Sequence, residues 1–195
     1  MKPILFEEGT TSFNTNGLGS LNDCISCLVT EERNGGYEVE FTYPINGIHY
    51  SEIREGRIIL VDHDEQKDTQ PFVIYQHSAP ISGVVTFYAH HVSYLLSNIV
   101  INPFTASSTA DAFRQLKIEN ANPNPFTFWT DNTNAGAAVI SVPTSCRAVL
   151  GGVEGSILDR FGGEYEFDHY TVRNYAHRGA DNGVTIRYGK NLTDI

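Results

Sequence analysis

Three cysteines are the residues of this chain best suited to metal or nucleophilic chemistry. Cys24 and Cys27 form a C-x-x-C pair, the spacing of half a zinc site or of a redox pair. Residues three apart in a strand point to opposite faces, so the two sulfurs could not reach one metal without a bulge. Cys146, with a distant histidine as base, could act as a nucleophile, but no known cysteine signature surrounds it. Buried packing is therefore predicted for Cys24 and Cys27, and a nucleophilic role is disfavoured for Cys146.

Acidic residues and histidines give two further candidate groups. The first is an acidic turn, whose oxygen ligands could hold a hard cation, formed by Asp62, His63, Asp64, Glu65 and Asp68. Its spacing lacks the glycine and the distal glutamate of a calcium loop, which favours a solvated hairpin tip that blocks edge pairing. The second is His90-His91. Neighbouring residues of a strand face opposite ways and no H-E-x-x-H pattern follows, so structural or surface histidines are favoured.

A glycine-rich turn and three aromatic residues complete the candidates. G-G-V-E-G-S at 151–156 is similar to an anion-binding loop, but no lysine follows and Glu154 would repel phosphate. The sequence also does not match the G-x-S-x-G elbow, so a turn with Ser156 near a helix N-cap is predicted. Trp129, Tyr165 and Tyr170 could stack on sugars, although a strand core explains them more readily. No catalytic, cofactor-binding or metal-binding residue is therefore predicted.

Composition limits the classes of protein to which the chain can belong. Its 195 residues include 41% hydrophobic and 18% charged residues, with no apolar run long enough for a transmembrane helix or a signal peptide. A net charge of −10 without a basic cluster disfavours nucleic-acid and anionic-membrane binding. Three cysteines without a disulfide framework are typical of a protein made in a reducing cytoplasm.

Alternating apolar residues dominate the first half. The clearest case is 37–43, where Tyr37, Val39, Phe41 and Tyr43 would share one buried face. Asn34-Gly35-Gly36 predicts a hairpin that joins this strand to 24–33. Further strands are predicted at 57–62, 71–78 and 83–90. These short strands and turns predict an antiparallel sandwich or barrel.

Helical spacing enters after residue 90. It predicts a helix at 92–99, and Ser108 to Asp111 resembles a capping box that opens another. Short helices are predicted at 144–150 and 156–161, each stopped by a Gly-Gly pair. Strands are predicted at 126–130, 164–168, 170–175 and 183–188. The predicted class is α+β, mainly β: a β-rich domain at 1–100, an α+β insert at 101–163 and a closing β segment at 164–195.

Several ordered motifs together resemble a known family. They are GLGSLND (17–23), VTEERNGGYEVEFTYP (29–44), IREGRII (53–59), QPFVIY (70–75), YAHHVSYLL (88–96), PFTA (103–106), LGGVEGSIL (150–158), GGEYEFD (162–168) and GVTIRYGKNL (183–192). With these the chain resembles the N-terminal hub region of the tail-associated proteins of long-tailed phages and prophages, also called phage minor structural proteins or prophage endopeptidase tail proteins.

The resemblance implies a structural role in the virion. It implies a homotrimeric baseplate hub, assembled in the host cytoplasm, that closes the tail tube and has tube-like β-barrel domains with an inserted α+β domain. The expected partners are the ring of the distal tail protein and the tape-measure protein. Family peptidase or lysozyme activity is expected in a C-terminal region beyond Ile195, so no enzymatic activity is expected of these residues. The alternatives are a cell-wall-degrading (peptidoglycan hydrolase or endopeptidase) tail protein and a carbohydrate-binding module.

Overall fold

Seven strands of the first half form one curled antiparallel sheet, a half-barrel that is open between its two edges. The computed structural model describes residues 2–63 and 69–179. The strand order is β2-β1-β5-β6-β7-β4-β3. The strands are β1 (Ile4–Phe6), β2 (Gly19–Ser20), β3 (Ser26–Glu31), β4 (Tyr37–Pro44), β5 (Ile58–Val61), β6 (Gln70–His77) and β7 (Val84–His91). The predicted α+β, mainly β class is confirmed.

The period-two pattern of β4 fixes which face of the half-barrel is its core. Tyr37, Val39, Phe41 and Tyr43 are buried while Glu38 and Glu40 are exposed, as the alternation predicts. The predicted hairpin with β3 is also confirmed, with Val29 opposite Val39. Phe87 of β7 lies opposite Phe41, and their rings stack with centroids 5.0 Å apart. The hydrophobic core of the half-barrel is therefore built across β4 and its two neighbours.

Short 3-10 helices flank the half-barrel at Tyr50–Glu52 and Val92–Asn98. The second lies where the sequence predicts a helix, with the tighter 3-10 geometry in place of an α-helix. Ser93 donates its backbone N–H to Nδ1 of His91, which caps the helix. Val92 and Leu96 are buried, so the apolar spacing identifies the inward face correctly.

The second half combines short strands with three short α-helices among the described residues. The helices are α1 (Thr109–Ile118), α2 (Cys146–Leu150) and α3 (Ile157–Phe161). The strands are β8 (Val100–Ile101), β9 (Phe104–Ser108), β10 (Thr127–Thr130), β11 (Ala135–Ile140), β12 (Thr144–Ser145), β13 (Glu164–Asp168) and β14 (Thr171–Tyr175). Ser108 caps α1 by accepting a hydrogen bond from the Asp111 N–H at 3.2 Å, which confirms the cap expected there. The predicted strand at 183–188 lies outside the described residues.

Four strands of the second half, β8, β9, β11 and β12, are not predicted from the sequence, and β12 occupies the first two residues of the predicted helix at 144–150. β9 and β11 pair antiparallel, with a register shift between Ala135 and Ala138. Their sequences, FTASS and AGAAVI, are rich in small residues and lack strong alternation, so strand propensity gives no signal. The backbone hydrogen bonds between β9 and β11 stabilise these two strands instead.

Two main hydrophobic clusters underlie the two halves. One runs from Leu5 to Ala89 in the half-barrel, and the other from Val92 to Val172. Phe167 of β13 packs against both. β13 and β14 share a three-stranded sheet with β10, so this part of the predicted closing segment pairs with a strand of the predicted insert. The domain bounds at 100 and 163 stay a prediction. Among the described residues, no helix has the length and apolar character needed to cross a membrane.

Candidate functional site

The cysteines occupy three different environments. Cys24 is buried and its thiol donates to the Ser26 carbonyl at 3.2 Å, whereas Cys27 is exposed. The prediction that Cys27 is buried is wrong, because β3 is an edge strand with no described strand on its outer side. Cys146 is buried at the start of α2, and burial raises the pKa of its thiol to about 12. Cys146 therefore stays protonated near neutral pH and is a poor nucleophile.

The two adjacent histidines point to opposite faces of β7. His90 lies on the outer face, where its ring stacks between Tyr75 and Tyr94 with centroids 5.0 and 4.7 Å away. His91 is buried, stacks on Tyr37 and lies 3.3 Å from Oε1 of Gln70. In the acidic turn, His63 pairs with Glu31 at 2.9 Å. Asp64, Glu65 and Asp68 lie outside the described residues.

The three aromatic candidates do not form one platform. Tyr165 and Tyr170 are buried, and each donates its hydroxyl to a backbone carbonyl, that of Leu150 and that of Thr10. Trp129 is 45% exposed and packs on Tyr175. Sugar stacking by all three side chains together is excluded by this arrangement, because two of the rings are in the core.

The outer edge of β3 is the longest edge of the half-barrel on which no described strand lies. No described strand pairs with the outer side of Ser26–Glu31, whereas the opposite edge, β2, has only two residues. Leu28 is 66% exposed on this edge, and the neighbouring Ile25 is 62% exposed. Such an edge presents unpaired backbone groups and apolar side chains, which favours pairing with another chain.

A junction of hydrogen bonds joins the half-barrel to the β13–β14 hairpin. Asn34, in the β3–β4 turn, donates to the Gly163 carbonyl at 3.3 Å and accepts from the Tyr165 N–H at 2.8 Å. Arg33 pairs with Glu164 at 2.7 Å. These contacts hold a turn of the first half against the start of β13.

A second part of the junction lies at the end of the same hairpin. Gln70 of β6 donates to Asp168 at 3.0 Å, and its Oε1 accepts the His169 N–H at 2.8 Å. Both partners of Gln70 lie where β13 turns into β14. The hairpin is therefore tied to the half-barrel at both of its ends.

A cavity of about 110 Å³ lies beside the junction. It is lined by Asn34, Gly35, Leu96, Arg147, Leu150, Gly151, Gly152, Leu158, Tyr165 and Phe167. Gly151 and Gly152 of the glycine-rich turn therefore line a concave site. Ser156 is the N-cap of α3, as predicted, and Glu154 is exposed and does not line the cavity.

The fold has a counterpart among solved structures, although no family model and no curated protein matches the sequence. The structure superposes on prophage tail protein gp18 from Listeria monocytogenes EGD-e with a TM-score of 0.70, at 14% identity and over 97% of this chain. The chain has the fold of a prophage tail protein. It covers 55% of gp18, about half of that protein's length.

The E. coli c3393 protein, a type VI secretion component described as structurally similar to T4 tail proteins gp27 and gp5, also aligns. Its TM-score is 0.46, at 11% identity, and the alignment covers 80% of this chain and 46% of that one. The likeness to gp18 confirms the resemblance to phage tail-associated proteins that the sequence indicates.

Lowering the pH should destabilise the junction, because the Asp168 carboxylate becomes protonated. Burial acts to raise the pKa of this carboxyl, but hydrogen bonds from His169, Gln70 and Arg173 outweigh it and hold the pKa at about 2. The unfolded carboxyl has a pKa of about 3.9, so the stabilisation is present above that pH and is lost as the pH falls towards 2. Because the side chain is 32% exposed, we expect Asp168→Asn to cost only about 1–2 kcal/mol at pH 7.

Urea denaturation of the wild type and of Asp168→Asn at several pH values tests this. The difference between the two should shrink between about pH 5 and pH 2. Glu154→Gln is the control, because Glu154 is exposed and makes no hydrogen bond or ion pair with the residues that the structure describes. A difference that is the same at every pH would show that the Asp168 ion pair does not stabilise the junction.

Chelators should not change the melting temperature. Among residues 2–63 and 69–179, no group of three His, Cys, Asp or Glu side chains could hold a metal ion. The acidic turn also lacks calcium-loop spacing, so we expect EDTA to leave the thermal melt unchanged. One zinc or calcium ion per chain by elemental analysis would contradict this expectation.

Proposed function

We propose that the chain is a structural component of a phage or prophage tail, and that it forms part of a trimeric hub that closes the distal end of the tail tube. The observation that carries this proposal is the likeness of fold to prophage tail protein gp18 over nearly the whole chain. The ordered sequence motifs point in the same direction. A virion tail tip assembled in the host cytoplasm is the corresponding location.

The open half-barrel suits assembly with other chains. β3 has six residues, Leu28 is exposed on it and no described strand lies on its outer side, so a strand of a neighbour can extend the sheet there. The proposed neighbours are further copies of this chain, the ring of the distal tail protein and the tape-measure protein. The net charge of −10 opposes close association of identical chains in isolation, so ring closure is expected with the partners present.

The role proposed is non-enzymatic. Neither the cell-wall-degrading nor the carbohydrate-binding alternative gains support from the described residues, since Cys146 is buried and protonated and the aromatic residues do not converge. The hydrolase alternative places its catalytic domain beyond Ile195, so a peptide-release assay on cell walls tests it with a protein that includes such a region.

The assembly proposal predicts that the β3 edge is needed for binding to the ring. We expect the chain to be a monomer or a weak trimer alone, and to bind the distal tail ring of the same phage when mixed with it. Leu28→Lys places a charge on the edge and should weaken this binding at least tenfold, because an exposed edge lysine blocks strand pairing. Light scattering measures the mass of each species, and sedimentation measures the affinity for the ring.

Ile118→Lys is the matched control, since Ile118 is 57% exposed at the end of α1 rather than on the sheet edge. It should leave ring binding unchanged. A tight dimer of the chain alone, no affinity for the ring, or equal effects of the two lysine variants would contradict the hub proposal.

A further inference from the structure

The cavity beside the junction is lined by a partly buried cation, Arg147, one of whose donors has no hydrogen-bonding partner among the described residues. Nη1 of Arg147 is buried and makes no hydrogen bond, and no carboxylate lies within salt-bridge distance of the guanidinium among the residues that the structure describes. A buried donor left without a partner destabilises the folded chain, and a charged donor does so more than a neutral one. The cavity therefore has an unmet requirement for an acceptor.

Aromatic rings fix the position of this guanidinium. Its central carbon lies 4.4 Å from the centroid of Tyr94 and 5.9 Å from that of Phe167. Cation–π contacts of this kind hold the planar group in place and leave its edges free for hydrogen bonds. The side chain is therefore preorganised for a planar acceptor.

The other polar side chains of the wall are already paired. Asn34 uses its amide nitrogen on Gly163 and its oxygen on Tyr165, and the Tyr165 hydroxyl is bonded to Leu150. The rest of the lining is largely apolar, from Leu96, Leu150, Leu158 and Phe167. Arg147 is thus the cation that determines what the cavity binds.

We propose that this cavity binds a carboxylate group through Arg147. A guanidinium satisfies both oxygens of one carboxylate. Arg147 is the one cationic side chain among the described residues of the lining, so its single charge matches a carboxylate better than a phosphate dianion. A cavity of about 110 Å³ accommodates the carboxylate end of a small acid or of an acidic side chain. The carboxylate belongs either to a free small acid or to an aspartate or glutamate of another chain.

Titration of the full chain with sodium acetate, followed by NMR of the Leu96 and Leu158 methyl groups, tests the proposal. Acetamide is the neutral probe of the same shape, and sulfate is the alternative anion. We expect saturable shifts with acetate, and binding of acetamide and of sulfate at least tenfold weaker. Equal binding of acetate and acetamide, or tighter binding of sulfate, would overturn the carboxylate assignment.

A capped Ala-Glu-Ala peptide and its glutamine version separate the two sources. Binding of the glutamate peptide at least tenfold tighter than acetate identifies an acidic side chain of another chain, and equal or weaker binding identifies a free acid. Either result supports the proposal, provided that the glutamine peptide does not bind. If neither acetate nor the glutamate peptide shifts the methyl resonances, the proposal is wrong.

Variants of two arginines, one in the cavity and one away from it, provide the control. Arg147→Gln should reduce acetate affinity at least tenfold. Arg114→Gln removes an arginine of α1 that is paired with Asp111 and does not line the cavity, and it should leave acetate affinity unchanged. Arg147→Lys keeps the positive charge but lacks the planar guanidinium. If the glutamine variant does not fold, the acetate affinity of the lysine variant is measured instead. Unchanged acetate affinity in both Arg147 variants would exclude Arg147 as the binding group.

Discussion

Replacing Phe41 by alanine should lower the free energy of unfolding by about 3–5 kcal/mol. Phe41 has no exposed surface and its ring stacks on Phe87 in the core of the half-barrel. Alanine at this position would lose the transfer free energy of the ring and leave a cavity that β3 and β7 cannot collapse to fill. Urea denaturation followed by circular dichroism gives the free energy directly.

Leu28→Ala, on the neighbouring strand, is the control for Phe41→Ala. Leu28 is 66% exposed, so its truncation should change stability by no more than about 0.5 kcal/mol. Equal losses for the two variants would mean that the alternation of β4 does not define a buried face in solution.

The elements that the sequence predicts correctly are those with a local signal. The alternation of β4, the Asn-Gly turn before it and the Ser108 cap each depend on residues within a few positions of one another. Such local signals indicate a strand or a helix even when the element that packs against it is not known. The predicted β-rich first half follows from the alternation and the turn, and the helix in the second half follows from the cap.

The features that the sequence does not predict depend on contacts between distant residues. β10 pairs in parallel with β14, more than 40 residues later, and β9 pairs with β11 despite small residues in both. The exposure of Cys27 follows from the position of β3 at the end of the sheet order, which alternation alone does not determine.

The cavity could not be predicted from the sequence either, because its lining residues come from distant parts of the chain. Gly151 and Gly152 stand out in the sequence, but the cation that gives them a chemical context comes from Arg147, on the helix before them. Asn34 reaches the same cavity from a turn over 100 residues earlier. An arginine four residues before a Gly-Gly turn is common in proteins and does not by itself indicate a binding site. The site is recognisable only in the folded chain, where Arg147 and Asn34 line the same cavity.

Gly163 of the junction should tolerate alanine poorly, because its φ is positive and its Cβ position is crowded. Its φ is +98°, and a Cβ there would lie 2.7 Å from the Tyr175 carbonyl oxygen and 2.7 Å from Nδ2 of Asn174. Alanine must adopt an unfavourable backbone conformation, which costs about 1–2 kcal/mol, and must also push aside a backbone carbonyl of β14. We expect a total loss of about 2–5 kcal/mol for Gly163→Ala.

Gly83→Ala separates the two contributions. Gly83 has a φ of +79°, and a Cβ on this residue would meet no atom within 4 Å, so its loss should reflect backbone strain alone, about 1–2 kcal/mol. The excess loss in Gly163→Ala then measures the close approach of β13 to β14, which also positions the Gly163 carbonyl that Asn34 binds. If urea denaturation gives the same loss for both variants, the close packing at Gly163 does not hold the junction, and the position of Asn34 beside the Arg147 cavity must depend on its hydrogen bond to Tyr165 instead.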